Sequence, residues 1–245
     1  MGLQLIKMRT VAIIPARYKS TRLPGKPLIK LKGKEMIVRV AEIAEEALGR
    51  ENVYVATDDQ RIIDVVESYG FQTILTSEKC LTGTDRVAEA SLQIEADFYI
   101  NVQGDEPLLD PNDILKIKEA KLNYPNHIVN CWAPLNEYEE ADNPKLAKIV
   151  ANLYDEMLYI SRSAIPGTKT GGSKGVMKNV SIYGFNKEHL KAFSFTDSKS
   201  PLESIEDIET LRFLELGYKI KLVEVKGDSY SVDYPEDIKI VEKLL

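Results

Sequence analysis

The chain is predicted to be an α/β protein with a mixed, mainly parallel sheet and helices on both faces. Three observations carry this. Up to about residue 110, strand-like apolar runs alternate with amphipathic stretches of helical length, the rhythm of right-handed βαβ units. Beyond that point the strands lengthen and turns intervene, which predicts a smaller, more antiparallel subregion. With 245 residues, 44% of them hydrophobic, the chain can fill the core of one large domain.

The elements follow in order. VAIIPA (11–16) is a short buried strand, and EMIVRVAEIAEEAL (35–48) sets Ile37, Val40, Ala41, Ala44 and Leu48 on one helical stripe. NVYVATD (52–58) is a strand, and DQRIIDVVESYG (59–70) a helix closed by Gly70. QTILTS (72–77) is the next strand. TDRVAEASLQI (84–94) is a helix whose Thr84 and Asp85 suit its first turn. FYINVQGDEP (98–107) is a strand ending in a Gly-Asp-Glu-Pro break. NHIVNCWAPL (126–135), LAKIVANLYDEMLYIS (146–161) and NVSIYGFN (179–186) read as longer strands with turns. The second of these splits into two strands around Asp155 and Glu156, with a helix as the rival reading. GTKTGGSKG (167–175) is a flexible loop. SPLESIEDIETLRFLELGY (200–218) reads as one helix with Ser200 at the N-cap, Pro201 at N1 and Ile205, Ile208, Leu211 and Leu214 as its buried stripe. IKLVEV (220–225) is a strand, and SVDYPEDIKIVEKLL (231–245) turns into a last helix with Pro235 near its start. A single domain over 1–245 results, with a core at about 9–125 and 185–245 and a subregion at about 126–184.

A net charge of −6 argues against nucleic acid as a partner, because phosphate contacts need a broad basic surface. No apolar run reaches the roughly 20 residues that cross a bilayer. MGLQLIKMRT lacks the apolar stretch of a secretory signal, and Ile6 stands where a myristoylation signal has Ser or Thr. A cytoplasmic protein is expected. Cys80 and Cys131 form no CxxC pair and read as free thiols, with one disulfide as the alternative; two histidines make a His-rich zinc site a poor fit.

Against that acidic background, VAIIPARYKSTRLPGKP (11–27) stands out. Arg17, Lys19, Arg22, Lys26 and Lys30 place five cations in fourteen residues, directly after a strand and broken by Pro24-Gly25. It is neither a Walker A loop nor GxGxxG, yet a basic, glycine-containing loop at the carboxyl end of a parallel strand is where a polyphosphate binds. NVQGDEPLLD (101–110) supplies Asp105 at another strand end, with Gly104 allowing close backbone approach. SVDYPED (231–237) supplies Asp233. Each alone is an ordinary turn or helix start; together they form a carboxylate pair suited to Mg²⁺, which takes one or two carboxylates plus phosphate oxygens. Trp132 reads as core, His127 as solvent-facing, Glu45-Glu46 as a wet helix face, and YEEAD (138–142) as a solvated acidic turn.

PARYKSTRLPGKP, ATDD, TGTDR, YINVQGDEP, SRSAIP, SIYGF, SPLESIEDIETLR and VDYPED, in this order, resemble the 3-deoxy-manno-octulosonate (Kdo) cytidylyltransferases, from about residue 9 to the C-terminus. The resemblance implies a nucleotide-diphospho-sugar transferase-like, Rossmann-like fold, a homodimer, and Mg²⁺-dependent transfer of CMP from CTP to a sugar acid for lipopolysaccharide or capsule. It implies Ala16 beside the cytosine and Arg17, Lys26 and Arg22 on the phosphates. Thr84, Asp85 and Arg86 lie near nucleotide and sugar. Gln103 is a substrate contact, Asp105 and Asp233 hold the metal, and Arg162, Tyr183 and Glu209 hold the acid. Asn179 stands where the family has histidine, and the 167–177 loop is short, so the nucleotide is better specified than the acceptor. Residues 1–7 precede the family's usual start, with Met8 a candidate initiator. Rival readings are a CTP- or UTP-dependent transferase for another acceptor (8-amino-Kdo, another acidic sugar or a phosphorylated compound) and a nucleotide sensor without turnover.

Overall fold

The computed structural model describes residues 8–20, 22–195 and 198–245; the expectations for residues 1–7 lie outside the described residues. The strands are β1 (Thr10–Ala16), β2 (Lys30–Leu31), β3 (Lys34–Glu35), β4 (Val53–Thr57), β5 (Gln72–Leu75), β6 (Phe98–Val102), β7 (Ile128–Pro134), β8 (Lys148–Ala151), β9 (Met157–Ser161), β10 (Met177–Phe185) and β11 (Ile220–Glu224). The helices are α1 (Met36–Leu48), α2 (Gln60–Ser68), α3 (Gly83–Ser91), α4 (Pro111–Asn123), α5 (Lys187–Phe193), α6 (Pro201–Glu206), α7 (Thr210–Glu215) and α8 (Pro235–Leu244). The main sheet runs β11-β7-β10-β6-β1-β4-β5. β1 pairs in parallel with β4 and β6, β4 with β5, and β11 with β7, while β10 is antiparallel to both of its neighbours.

Period-two alternation explains how one strand serves two layers. In β1, Ala12, Ile14 and Ala16 face a core built with Ile37 and Val40 of α1, Ile62 of α2 and Ile114 of α4. Val11 and Ile13 face the opposite core, with Val87 of α3, Leu190 of α5 and Leu211 of α7. The whole strand is therefore buried. The 146–161 segment forms the two strands expected, β8 and β9, paired antiparallel beside the start of β10. β7 and β10 lie inside the main sheet, and β8 and β9 belong to the same nine-stranded sheet, branching from its strand order through the pairing of β8 with β10.

The stretch 200–218 is not one helix. Asp207 adopts a left-handed backbone (φ 52°) that ends α6, and α7 begins at Thr210. Ile205, expected in the buried stripe, is 79% exposed, while Ile208 and Leu211 are buried. At about 100° per residue, Glu203 and Arg212 would lie on opposite faces of a continuous helix; the break lets them form a buried ion pair at 2.6 Å. No helix is expected at 111–123, yet α4 forms there, started by the Asp110 side chain accepting from Asn112 N–H and by Pro111 in its first turn.

α4 seats against β10 at Gly184, where a Cβ would meet Lys121 Cγ at 2.7 Å and Ile117 Cγ2 at 2.8 Å. Lys121 is fully buried, its Nζ donating to the Pro125 and His127 carbonyls at 2.9 and 2.6 Å. Burial pushes its ammonium down from 10.5 to about 7. Between those values the folded chain binds fewer protons than the unfolded one, so this group makes stability rise with pH from about 7 to 10.5 and lowers it below about 7. We expect the urea midpoint of the unaltered chain, measured relative to Lys121→Met, to climb across that window; a constant difference would contradict it.

Candidate active site

Two cavities open at the carboxyl ends of β1 and β6 and share a wall made by Gln103, Asp105, Asp207 and Glu209. The larger, about 540 Å³, is lined by the basic loop (Ala16, Arg17, Arg22 and Lys26) and by Thr82 and Gly83 at the start of α3. The smaller, about 310 Å³, is lined by Arg162, Lys178, Asn179 and Tyr183 and reaches Asp233. The loop's shape is local chemistry. Gly25 takes a left-handed backbone (φ 67°), its N–H donates to the Tyr18 carbonyl at 3.1 Å, and a short 3₁₀ turn over Lys26–Leu28 follows. At Gly104 a Cβ would lie 2.9 Å from the Pro15 carbonyl oxygen, so the β1 and β6 ends meet only with glycine there.

At the junction of the two cavities sits Lys26. Its Nζ lies 2.5 Å from Asp105 Oδ2 and 3.2 Å from Asp233 Oδ1. Arg22 Nη2 adds a 2.9 Å bond to the same Asp233 oxygen. Burial pulls the Lys26 pKa down, but the charge and hydrogen bond of Asp105, then those of Asp233, outweigh it and hold the ammonium above its ordinary range. Arg17 is exposed and has no ion pair among the described residues.

Other expected site residues are placed differently. Thr84 is buried and Asp85 is turned inward, closing a capping box with Thr82 and pairing with Arg212 at 2.9 Å, so neither side chain lines a cavity. Thr82 and Gly83 take that place, because the N-cap lies two residues earlier than the apolar pattern suggests. Arg86 lines the larger cavity but is buried against Thr76 and Asp58. Glu209 accepts from Gly83 N–H at 3.0 Å and Thr84 N–H at 2.8 Å, which fixes the α3 terminus; burial raises its pKa against those hydrogen bonds. Arg162 donates to the carbonyls of Glu206, Pro144 and Asp207. Asn179 donates to the Tyr183 hydroxyl at 3.2 Å and to Ser181 at 3.3 Å, while its Oδ1 is buried without a partner.

The acidic turn at 138–142 is not wholly solvated. Glu139 accepts from buried Lys178 at 2.6 and 2.7 Å and lines the smaller cavity. Lys145, Asp207 and Glu106 also line that cavity and carry no signal in the sequence beyond their residue type. Glu106 accepts from Ser229, and burial, then the Asp105 charge, pushes it up to about 7.

Beneath the cleft lies a second buried charge node. The Arg212 guanidinium, 1% exposed, bonds both Glu203 oxygens at 2.6 and 2.7 Å, reaches Asp85 and the Phe193 carbonyl, and stacks 3.7 Å over the Phe193 ring. Removing one member of a buried pair strands the other charge at a cost of about 3–5 kcal/mol. Arg212→Met is therefore expected to lower stability by that amount in urea titration, and the double change with Glu203→Leu to recover a large part of it.

The basic loop, the carboxylates at the strand ends and the two adjoining cavities define a nucleotidyltransferase. The family model described as Cytidylyltransferase matches residues 11–220. A 3-deoxy-manno-octulosonate cytidylyltransferase of Thermodesulfovibrio yellowstonii is 41% identical over 97% of this chain and 98% of its own length. An 8-amino-3,8-dideoxy-manno-octulosonate cytidylyltransferase of Shewanella piezotolerans is 39% identical over 97% of this chain and 99% of its own. The solved structure of a CMP:2-keto-3-deoxy-manno-octonic acid synthetase complexed with CTP superposes with a TM-score of 0.89 at 36% identity, covering 96% of this chain and 98% of that one. The chain belongs to the cytidylyltransferase family, in the branch of the 3-deoxy-manno-octulosonate enzymes. The inositol-1-phosphate CTP transferase of T. maritima, at 17% identity and a TM-score of 0.70, shares the fold.

Proposed function

We propose that the chain transfers CMP from CTP to a sugar acid of the 3-deoxy-manno-octulosonate type, with Mg²⁺, and releases pyrophosphate. The observation that carries this is the convergence of Lys26, Asp105 and Asp233 where the two cavities meet. The larger cavity, with Arg17, Arg22 and Lys26, suits the triphosphate, and Ala16 borders the base. The smaller cavity, with Gln103, Tyr183 and Asn179, suits the sugar.

The carboxylate pair fits the metal. Both donors are hard oxygens, and the position between them, taken here by the Lys26 ammonium, is one where positive charge is favourable, which supports the reading. Among the described residues no group of three or more His, Cys, Asp or Glu side chains surrounds a metal position, so the remaining ligands would be water and phosphate, as Mg²⁺ prefers. When bound, Mg²⁺ supplies charge neutralisation at the α-phosphate and acidifies the attacking hydroxyl. The chain's own part is orientation and charge. The acceptor's anomeric oxygen bonds to the α-phosphorus and its proton passes to water, while the α–β bridging oxygen leaves with the electron pair as pyrophosphate. Arg17 and Lys26 stabilise that leaving group. Positioning across the shared wall supplies most of the rest.

No helix among the described residues is long and apolar enough to cross a membrane, and both cysteines are free thiols. These features support a cytoplasmic enzyme working where CTP is made. On the β8–β9 arm, Leu153 is 99% and Leu158 60% exposed, with Tyr154 beside them; this apolar edge supports a homodimer formed through the arm. The intact Lys26, Asp105 and Asp233 weigh against a sensor without turnover.

Pyrophosphate release from a panel of nucleoside triphosphates and acceptors tests the reading: CTP with Kdo or its 8-amino analogue is expected to react, and no release with any sugar acid would overturn it. Asp105→Asn is expected to lower kcat by roughly 100-fold or more while leaving the unfolding midpoint close to that of the unaltered chain; near-normal turnover in Mg²⁺ would remove Asp105 from the metal site. For Asn179→His, relative kcat/KM among Kdo, 8-amino-Kdo and a phosphorylated acceptor should change while CTP kinetics stay nearly constant, because an imidazolium adds a charge at the acceptor cavity alone.

A further inference from the structure

We propose that Lys145 binds the carboxylate of the acceptor. The inference rests on the reading of the acceptor as a sugar acid and starts from the charges of the smaller cavity. Each of the carboxylates lining it has a partner. Glu139 is held by Lys178, Asp207 by Lys199 at 2.5 Å, Glu209 by the amides of α3, Glu106 by Ser229, and Asp105 and Asp233 by Lys26. Two of its three cations are committed as well. Lys178 belongs to Glu139, and the guanidinium of Arg162 is spread over three backbone carbonyls. Lys145 is the one cation lining that cavity with no carboxylate or carbonyl on its ammonium among the described residues; its Nζ lies 4.4 Å from the Tyr234 ring centroid.

The backbone beneath Lys145 is held by hydrogen bonds from both sides. Buried Lys148 donates to the carbonyls of Asn143 and Leu146 at 2.9 and 2.6 Å, and Arg162 donates to that of Pro144 at 2.9 Å. Lys145 N–H donates to Asn143 Oδ1 at 3.0 Å. The residue is thus pinned on both sides and presents an exposed side chain from a fixed backbone, next to the residue that follows Asp233. Tyr234 takes Arg22 of the basic loop at 5.3 Å as well as Lys145. One ring therefore parks a cation of the nucleotide cavity and a cation of the acceptor cavity, and a carboxylate competes for the second with a full charge against a ring quadrupole. Arg162 acts through the loop that carries Lys145 and is a positioning residue.

The experiment is steady-state kinetics on the full chain, with Kdo as acceptor, for the unaltered chain, Lys145→Ala and Lys145→Arg. Lys145→Ala should raise the KM for the acid roughly tenfold, with kcat and the KM for CTP within about threefold, and Lys145→Arg should recover a large part of the loss. An analogue without the anomeric hydroxyl, as the free acid and as its methyl ester, serves as a competitive inhibitor. The Ki of the acid should rise in Lys145→Ala, and the Ki of the ester should not. An unchanged KM for the acid, or an equal loss for acid and ester, overturns the inference while leaving the cytidylyltransferase reading in place. Failure of the unaltered chain to turn over any sugar acid removes both.

Discussion

Two carboxylates brought together at the strand ends repel each other and lose solvent, and such a pair persists only with a cation between them. In this structure the cation is Lys26, which reaches Asp105 across 79 residues of sequence and Asp233 across 207. Three loops are tied by that one ammonium: the basic loop after β1, the turn after β6 and the turn before α8. A backbone bond from Val232 N–H to the Asp105 carbonyl holds the last two together. The same electrostatics support the proposed reading of the site as one for an anionic ligand and a divalent ion. On the proposed reading, Asp105 and Asp233 would hold the metal, and Lys26, released from them, would pair with the triphosphate at the basic loop.

Around this junction the chain uses buried charges as fasteners. Arg212 joins α3, α6 and α7 to the end of α5, Lys148 gathers the carbonyls of Asn143, Leu146 and Arg162, and Lys121 closes the turn after α4. Each satisfies backbone or carboxylate groups that burial would otherwise leave unpaired. The two cavities keep their positions because their walls hang from such fasteners, and not because the loops are regular structure. Glu209 illustrates the coupling: its carboxylate forms part of the wall between the cavities and also caps the helix that borders the larger one.

Much of this architecture is legible in the chain itself. The period-two burial of 11–16, the helical stripe of 36–48 and the caps at Ser200 and Pro235 are local signals, and local signals determine local elements. The basic cluster against an acidic background marks the loop read as a phosphate site, and Gly104 marks a close backbone approach. The family resemblance then assigns CTP and a sugar acid to residues whose chemistry already suits them.

Other features were decided by contacts between residues far apart in the chain. A capped amphipathic stretch at 200–218 reads as one helix, because nothing local shows that Glu203 and Arg212 must meet in the core. Glu139 reads as a solvated acid, because the buried amine it neutralises lies 39 residues away. Thr84, Asp85 and Arg162 have the residue types of ligand contacts, yet the fold spends their hydrogen bonds on itself, while Lys145 looks like any surface lysine until its neighbours' charges are all seen to be paired. Sequence by itself determined most of the elements and the basic loop, since these rest on periodicity and residue chemistry, and its resemblance to a known family pointed to the class of reaction. Only the tertiary structure decided which charges remain free for a ligand, because pairing depends on distance in space.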